Sequence, residues 1–167
     1  MTAQKKTSPF AAILNFIGTA IIIIIIAFCL TLVAPKIFGI SAYTVLTGSM
    51  EPAVPVGSVV YAKSVDPKLL AEGDIVVFYD GRNELPVTHR IVQNDSSEGQ
   101  IITKGDANNS VDLSPIQYGN IIGKVVLHVP FLGRLLIPFG TLLGKAAALC
   151  MLLAGFLLCE ISRRLRN

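Results

Sequence analysis

Two long apolar runs enclose a middle segment in which apolar and polar residues alternate over short distances. The first run covers residues 10–34 and contains six consecutive isoleucines, with Asn15, Thr19 and Thr31 as its polar interruptions. A helix of 25 residues is long enough to cross the ~30 Å hydrocarbon core of a bilayer. A cleaved secretory signal has only about 7–15 apolar residues, so an uncleaved membrane anchor is predicted. Pro35 is expected to end this helix.

The second apolar run covers residues 135–159 and is interrupted by Pro138 and Lys145. Residues 146–159 are too short to span a bilayer alone, but the whole run is long enough. A second spanning helix is therefore predicted, provided that the Lys145 ammonium group reaches the interface or pairs within the protein. A membrane-associated C-terminal hairpin is the alternative. Gly140-Thr141-Leu142-Leu143-Gly144 matches the spacing of small residues at helix contacts in membranes.

The middle segment, residues 36–134, contains six short runs rich in Val, Ile, Thr, Tyr and Phe, a composition typical of strands. The runs cover residues 43–46, 56–65, 74–79, 87–93, 100–104 and 120–129. Turn-forming Gly, Pro, Asp and Asn residues separate them. The predicted fold class is therefore mainly β, with a small all-β domain flanked by N- and C-terminal transmembrane helices.

Charged residues are distributed unevenly along the chain. Basic residues lie just outside both apolar runs, at Lys5, Lys6, Arg163, Arg164 and Arg166, whereas the middle segment has eight basic and ten acidic residues. The positive-inside rule then places the tails, residues 1–9 and 160–167, in the cytoplasm, and the middle domain on the extracytoplasmic side. An integral protein of the cell membrane is expected. The dispersed net charge of +3 and the 52% of hydrophobic residues argue against a soluble or nucleic-acid-binding protein.

The middle segment can use only hydroxyl, imidazole and carboxylate groups for chemistry. The three cysteines, Cys29, Cys150 and Cys159, all lie in the apolar runs, which leaves no thiol nucleophile and no thiolate zinc site. The two histidines lack the His-x-x-x-His spacing of a zinc hydrolase, and the sequence contains no phosphate-binding P-loop. We therefore predict no metal and no cofactor.

Four polar residues of the middle segment are candidates for catalysis. Ser49 follows a predicted strand at a turn, His89 lies within a strand, and Asp106 and Asp112 lie in one polar loop. Taken singly, each has a structural explanation, as a turn serine, a half-buried strand histidine or a loop aspartate that accepts backbone hydrogen bonds. A serine nucleophile, however, needs a base, and that base needs a carboxylate. Separate loops of one β domain can bring the three groups together.

Several ordered sequence boxes resemble those of the type I signal peptidases, in particular the endoplasmic-reticulum-type subgroup that also occurs in archaea and some Gram-positive bacteria. The boxes are Thr47-Gly48-Ser49-Met50-Glu51-Pro52, Val87-Thr88-His89-Arg90-Ile91, and Lys104-Gly105-Asp106 with Asn108-Asn109 and Asp112. The connecting strands at residues 57–60 and 73–76 and the end of the domain at residues 123–125 and 129–133 are also similar. The resemblance covers about residues 40–133 and the anchor before them.

The resemblance implies a signal-peptidase-like catalytic domain and a membrane-bound serine endopeptidase that removes N-terminal signal peptides from secretory precursors. Ser49 would be the nucleophile. His89 would be the general base, because it stands where the major bacterial subgroup has a lysine. Asp112 matches the second acidic position of the family and is the preferred triad acid. Asp106 matches the first position and is the alternative or a supporting acid.

The resemblance also implies how substrate is bound and which partners are involved. Gly48 and Met50 are expected to contact the signal peptide, and the lipid bilayer is the second partner, with no nucleic acid involved. Two departures are that Thr47 replaces the usual serine and that Ala107 follows Asp106 where asparagine is usual. The alternative function is a non-catalytic membrane-tethered β module that binds partners, as a degenerate peptidase relative would. A membrane serine protease of broader specificity is a weaker alternative.

Overall fold

The computed structural model describes residues 9–81 and 85–166, with the side chain of Leu32 excepted. Within these residues the chain forms a seven-stranded antiparallel sheet and apolar helices on both sides of it in sequence. The chain divides into two compact units, one of residues 34–137 and one made of the described parts of 1–33 and 138–167. The predicted mainly β fold class with terminal apolar helices is confirmed.

The strands agree with the predicted runs except at their ends and at one additional strand. They are β1 (Ile40–Thr44), β2 (Val59–Lys63), β3 (Ile75–Phe78), β4 (Val87–Asp95), β5 (Gln100–Lys104), β6 (Ile116–Gln117) and β7 (Ile121–Val129). In the sheet they are ordered β1-β2-β7-β3-β4-β5-β6. Strand β6 is not among the predicted runs, because its two residues are too few to show a hydrophobic period.

The position of β4 brings the polar loop after β5 close to His89. Strand β4 lies between β3 and β5, and His89 is opposite Val76 in the register with β3. Lys104, the last residue of β5, is opposite Arg90. The chain therefore leaves the sheet beside His89, and the loop of residues 105–115 begins there.

The core of the sheet unit consists of two apolar clusters. The first contains Val45, Met50, Val54, Val60, Ala62 and Val77. The second contains Leu70, Val76, Phe78, Ile91, Ile101 and Ile116. Val76 and Val77 belong to different clusters because successive residues of a strand point to opposite faces of the sheet. The sheet is therefore covered by apolar side chains on both faces at β3.

In the described part of the chain, two helices are long and apolar enough to cross a membrane, judged by length and composition. They are α1 (Pro9–Ile37) and α3 (Leu142–Arg166), and the short helix α2 (Leu132–Gly140) precedes α3. Pro35 lies inside α1 and does not end it as predicted. The amides of Phe38 and Gly39 donate to carbonyls three residues back, and Gly39 ends the helix with a φ of 68°.

The predicted single helix over residues 135–159 is divided in two at Thr141. The Thr141 hydroxyl accepts a hydrogen bond from the Gly144 amide at 3.0 Å and donates to the Pro138 carbonyl at 2.6 Å. Thr141 is therefore the N-cap of α3, a local signal that the apolar pattern does not contain. Helix α3 continues to Arg166, so Arg163, Arg164 and Arg166 belong to its last turn.

Helices α1 and α3 are in contact through small residues. A Cβ atom added to Gly18 would lie 2.7 Å from the carbonyl oxygen of Gly155. The Ser162 hydroxyl donates to the Ala11 carbonyl at 2.6 Å. Of the two contacts, the one with the lower residue number in α1 has the higher residue number in α3, so the helices are antiparallel. Gly140 does not take part as the spacing predicted, since nothing lies within 4 Å of its added Cβ.

Candidate active site

Ser49 lies in the connection between β1 and β2. Residues of this connection on both sides of Ser49 pack into the core. Val45 precedes it, and Met50 and Val54 follow it, all in the first apolar cluster. The Glu51 amide donates to the Gly48 carbonyl at 3.0 Å, and the Val54 amide donates to the Met50 carbonyl at 2.8 Å. These contacts hold the turn against the sheet and leave Ser49 partly exposed.

His89 is buried on β4 and contacts both a hydroxyl and a carboxylate. Its Nε2 lies 3.2 Å from the Ser49 Oγ, and its Nδ1 lies 2.7 Å from the Asp112 Oδ2. The edge-to-face contact with Phe78, at 6.1 Å between ring centroids, restrains the imidazole ring. Since a carboxylate can only accept, the neutral imidazole is assigned a proton on Nδ1, and Nε2 then accepts from the Ser49 hydroxyl.

Asp112 is held by a residue that the sequence analysis does not single out. The Thr103 hydroxyl donates to the Asp112 Oδ2 at 2.6 Å, the same oxygen that accepts from His89. The Asp112 amide donates to the Thr103 carbonyl at 2.9 Å. Thr103 is fully buried in β5. A threonine in a strand is so common that no sequence signal distinguishes this one.

Asp106 points to Arg90 and is not brought to His89. The Arg90 guanidinium donates to both Asp106 carboxylate oxygens, at 2.9 and 2.7 Å, and to the Gly73 carbonyl at 2.7 Å. The hydrogen bond to Asp106 raises the pKa of Arg90 above its ordinary value, against the opposing effect of burial. Asp106 therefore fastens the start of the loop to β4.

The loop after β5 also touches the Ser49 turn directly. The Ala107 amide donates to the Ser49 carbonyl at 2.9 Å. A Cβ atom added to Gly105 would lie 2.6 Å from the same carbonyl oxygen, which is closer than real Cβ contacts allow. The absence of a side chain at Gly105 therefore permits the approach of the two segments that carry Ser49 and Asp112.

A second ion pair lies next to the Arg90 pair. Lys124 Nζ lies 2.7 Å from the Asp74 Oδ1, and the Ala71 amide donates to the Asp74 Oδ2 at 3.1 Å. Burial alone would raise the pKa of Asp74, but these hydrogen bonds and the charge of Lys124 together lower it below its ordinary value. Asp74 is therefore held as a carboxylate.

Two clefts lie beside the Ser49–His89 hydrogen bond. We call the first the Ser49 cleft; it encloses about 440 Å³ and is lined by residues 43–47, Ser49 and residues 85–88. We call the second the His89 cleft; it encloses about 720 Å³. The His89 cleft is lined by Phe78, Asp80, Val87, His89, residues 107–114 and Ile116.

The two residues predicted to contact substrate are placed differently from Ser49. Met50 is fully buried in the first apolar cluster, so it supports the turn from below and offers no surface to a substrate. It is buried because it is the apolar residue of a turn that closes over the sheet. Gly48 lies in the turn, but it is not among the residues that line either cleft. Substrate contact by Met50 is therefore not supported by its position.

Among residues 9–81 and 85–166, no group of three His, Cys, Asp or Glu side chains is arranged to hold a metal ion. The chemistry that this site offers on its own is a hydroxyl, an imidazole and a carboxylate joined in one hydrogen-bonded chain. Such a chain can remove a proton from the serine hydroxyl.

The chain thus combines a β domain, a serine, a histidine and an aspartate joined by hydrogen bonds, and two apolar helices long enough to cross a membrane. The family model described as signal peptidase, peptidase S26, matches residues 14–94, which include Ser49 and His89 and end before the loop of Asp112. This match and the relatives below show that the chain is similar to the type I signal peptidases.

Individual relatives show the same similarity. Signal peptidase I W of Bacillus subtilis is 38% identical over 90 residues, which cover 52% of this chain and 47% of that protein. The signal peptidase complex catalytic subunit sec11 of Neurospora crassa is 37% identical over 101 residues, 53% of this chain and 58% of that protein. SEC11 of Candida albicans is 37% identical over 99 residues, 53% of this chain and 59% of that protein. The chain thus spans about half the length of these relatives.

Proposed function

We propose that this protein is a membrane-bound serine endopeptidase that removes N-terminal signal peptides from secretory precursors by a Ser-His-Asp mechanism. The observation that carries the proposal is the hydrogen-bonded chain from Ser49 through His89 to Asp112, with distances of 3.2 and 2.7 Å. Similarity to the signal peptidase family supports the choice of substrate. In this proposal Asp106 is a supporting residue that fastens the loop, because its carboxylate is paired with Arg90.

In the first half of the reaction, the Ser49 Oγ attacks the scissile carbonyl carbon while His89 Nε2 takes the hydroxyl proton. The resulting imidazolium is stabilised by the Asp112 carboxylate, which also keeps the Nδ1 proton in place. The tetrahedral intermediate then collapses, the bond between carbon and nitrogen breaks, and Nε2 returns its proton to the departing amine. The signal peptide is left as an ester on Ser49, and the mature protein leaves as the amine.

In the second half, water takes the place of the departed amine. His89 removes a proton from the water, whose oxygen attacks the ester carbonyl, and then returns that proton to the Ser49 Oγ. We propose that the backbone N–H of Ser49 stabilises the negative oxygen in both halves. The products are a free carboxylate on the signal peptide and the regenerated serine.

We further propose that the residues before the cut bind in the Ser49 cleft. Its volume of about 440 Å³ lies at the lower end of the ~300–1,000 Å³ that is usual for ligand sites. Backbone and side-chain atoms of two segments, residues 43–47 and 85–88, form its walls. A cleft of this size suits the small side chains that end a signal peptide.

The proposed location is the cell membrane, with the catalytic domain on the extracytoplasmic side. Helices α1 and α3 have the length and composition of membrane spans. Arg163, Arg164 and Arg166 lie in the last turn of α3, which supports a cytoplasmic C-terminal end. Lys5 and Lys6, the basic residues from which a cytoplasmic N-terminal tail is predicted, lie outside the described residues.

Precursor cleavage by full-length protein in lipid vesicles tests the proposal. We expect Ser49→Ala and His89→Ala each to abolish detectable cleavage, while both variants insert into membranes and melt at the wild-type temperature. Lys68→Ala, a change in an exposed residue that lines neither cleft, is the matched control and should cleave normally. If wild-type protein binds precursors without cleaving them, the alternative of a non-catalytic binding module is correct.

A further inference from the structure

The two partners of the hydrogen bond between Ser49 and His89 line different clefts. Among the described residues, Ser49 lines only the Ser49 cleft, His89 lines only the His89 cleft, and Val87 lines both. A peptide that lies across the hydrogen bond therefore extends into one cleft on each side. The His89 cleft is therefore available for the part of a substrate that does not lie in the Ser49 cleft.

The chemistry decides which half of a substrate lies in which cleft. The carbonyl carbon becomes bonded to the Ser49 Oγ, so the residues before the cut start from the serine. The departing nitrogen must come within about 3 Å of the His89 Nε2 to receive its proton. The residues after the cut therefore continue from the histidine, which lines the His89 cleft.

We propose that the His89 cleft binds the first residues after the scissile bond, the N-terminal segment of the mature protein, and prefers an apolar side chain there. This inference rests on the proposed peptidase function. Phe78 and Ile116, both buried, form the apolar inner wall, and Val87 continues it towards the Ser49 cleft. The volume of about 720 Å³ is sufficient for a bound segment of more than one residue.

The outer wall of the His89 cleft is made by the loop that carries Asp112. Val111 and Leu113, on either side of Asp112, are 46% and 91% exposed. An apolar side chain placed against them would remove both surfaces from water, which is the source of the expected preference. The amides of Asn108 and Asn109 in the same wall can donate to and accept from an extended backbone.

Photo-crosslinking tests the location without requiring turnover. A precursor with a photoreactive side chain two residues after the cut, added to the Ser49→Ala protein, should become linked to residues 107–114. The same group two residues before the cut should become linked to residues 43–47 or 85–88. Linkage of the first probe to residues 43–47, or linkage of the second probe alone, overturns the inference. If neither probe is linked, the precursor does not bind, and the proposed function fails with it.

Cleavage of matched precursors tests the preference. Two precursors are identical up to the cut and carry leucine or glycine at the first two positions after it. We expect the wild type to favour the leucine precursor and Leu113→Ala to lose about five-fold in kcat/KM on it alone, which is the effect of ~1 kcal/mol of apolar contact. Absence of a leucine preference in the wild type, or an unchanged preference in Leu113→Ala, contradicts the inference.

Two other exposed leucines provide controls for this measurement. Leu69, 79% exposed on the 3₁₀ turn Pro67–Leu69, lines neither cleft, so Leu69→Ala should retain the leucine preference. Leu46, 61% exposed, lines the Ser49 cleft, so Leu46→Ala should alter selectivity before the cut only. A loss of the preference in Leu46→Ala would assign the departing segment to the Ser49 cleft. If no precursor is cleaved by any form, the proposed function itself is wrong.

Discussion

His89 and Arg90 are neighbours on β4, but they bind different ends of the same loop. His89 Nδ1 donates to Asp112 at 2.7 Å, whereas Arg90 donates to both carboxylate oxygens of Asp106 at 2.9 and 2.7 Å. Because successive residues of a strand point to opposite faces, one aspartate is drawn to each side of β4. The loop of residues 105–112 is therefore attached to Arg90 at its beginning, and its end places the Asp112 carboxylate against His89.

We call the two faces of β4 the His89 side and the Arg90 side. They differ in the groups that each carboxylate contacts. On the Arg90 side, Asp106 and Asp74 are paired with cations, so their charges are largely compensated in the resting protein. On the His89 side, Asp112 contacts a hydroxyl and an imidazole, and its charge is available to stabilise an imidazolium. In the proposed mechanism, the side of the strand that an aspartate of this loop faces thus decides whether it fastens the loop or assists proton transfer.

The largest effect is expected from removing the charge on the His89 side. In Asp112→Asn, the side-chain amide can donate to Nδ1 and favour the wrong imidazole tautomer. We expect kcat for precursor cleavage to fall about 10³–10⁴-fold, with little change in KM. Single-turnover cleavage of a purified precursor in lipid vesicles measures this.

Asp106→Asn is the matched control for that variant, because it makes the same chemical change on the Arg90 side. It should keep kcat within about ten-fold of wild type and should lower the melting temperature, since it breaks charge-assisted hydrogen bonds of ~1–3 kcal/mol in total. Equal loss of activity in both variants would remove the distinction between the two sides. An inactive Asp106→Asn with an active Asp112→Asn would make Asp106 the triad acid.

A smaller effect is expected from the residue that positions Asp112. Thr103→Val keeps the shape of the side chain but removes the hydroxyl that donates to the Asp112 Oδ2. We expect kcat to fall about ten-fold, equivalent to one hydrogen bond of ~1.4 kcal/mol, with the melting temperature nearly unchanged. Thr103→Ser should recover most of the activity. A Thr103→Ser protein as slow as Thr103→Val would assign the effect to packing.

The smallest effect is expected at Asp74, where pH gives the test. The pKa of Asp74 is lowered in the folded protein, so the ion pair with Lys124 stabilises the fold above about pH 4, the ordinary pKa of aspartate. This contribution is lost as the pH falls through the lowered value. We expect Asp74→Asn to cost ~1 kcal/mol or less at pH 7, because Lys124 is 41% exposed.

Thermal melting between pH 3 and pH 7 checks that prediction. The difference in melting temperature between wild type and Asp74→Asn should shrink as the pH is lowered, and kcat at pH 7 should stay within about two-fold. A difference that grows at low pH would show that the pair does not stabilise the folded state. A large loss of kcat would extend proton-transfer chemistry to the Arg90 side.

Much of the sheet and part of the candidate site could be predicted from the sequence. Strand β5 occupies the predicted residues 100–104, and the other predicted strands differ mainly at their ends. Ser49, His89 and Asp112 are brought together in space, while their catalytic roles stay predictions. Thr103 and the burial of Met50 could not be predicted, because both depend on which face of the sheet a neighbouring segment covers.

The helices also have features that a local sequence pattern cannot predict. Apolar length alone predicted two helices, but the break at Thr141 depends on one hydroxyl that accepts from the Gly144 amide. Gly140 and Gly144 have the spacing of a helix contact, yet the contact between α1 and α3 forms at Gly18 and Gly155. Which pair of glycines meets depends on the relative displacement of two helices that are far apart in sequence.

The sequence by itself determined where this chain is apolar, where it forms strands, and which residue types are available for chemistry, since these depend on composition and short-range periodicity. Only the tertiary structure decided which aspartate faces the imidazole and which faces the guanidinium. The physical reason is that hydrogen bonds between side chains require contact within about 3 Å. That distance is set by the register between β4 and β5 and by the approach of Gly105 to Ser49.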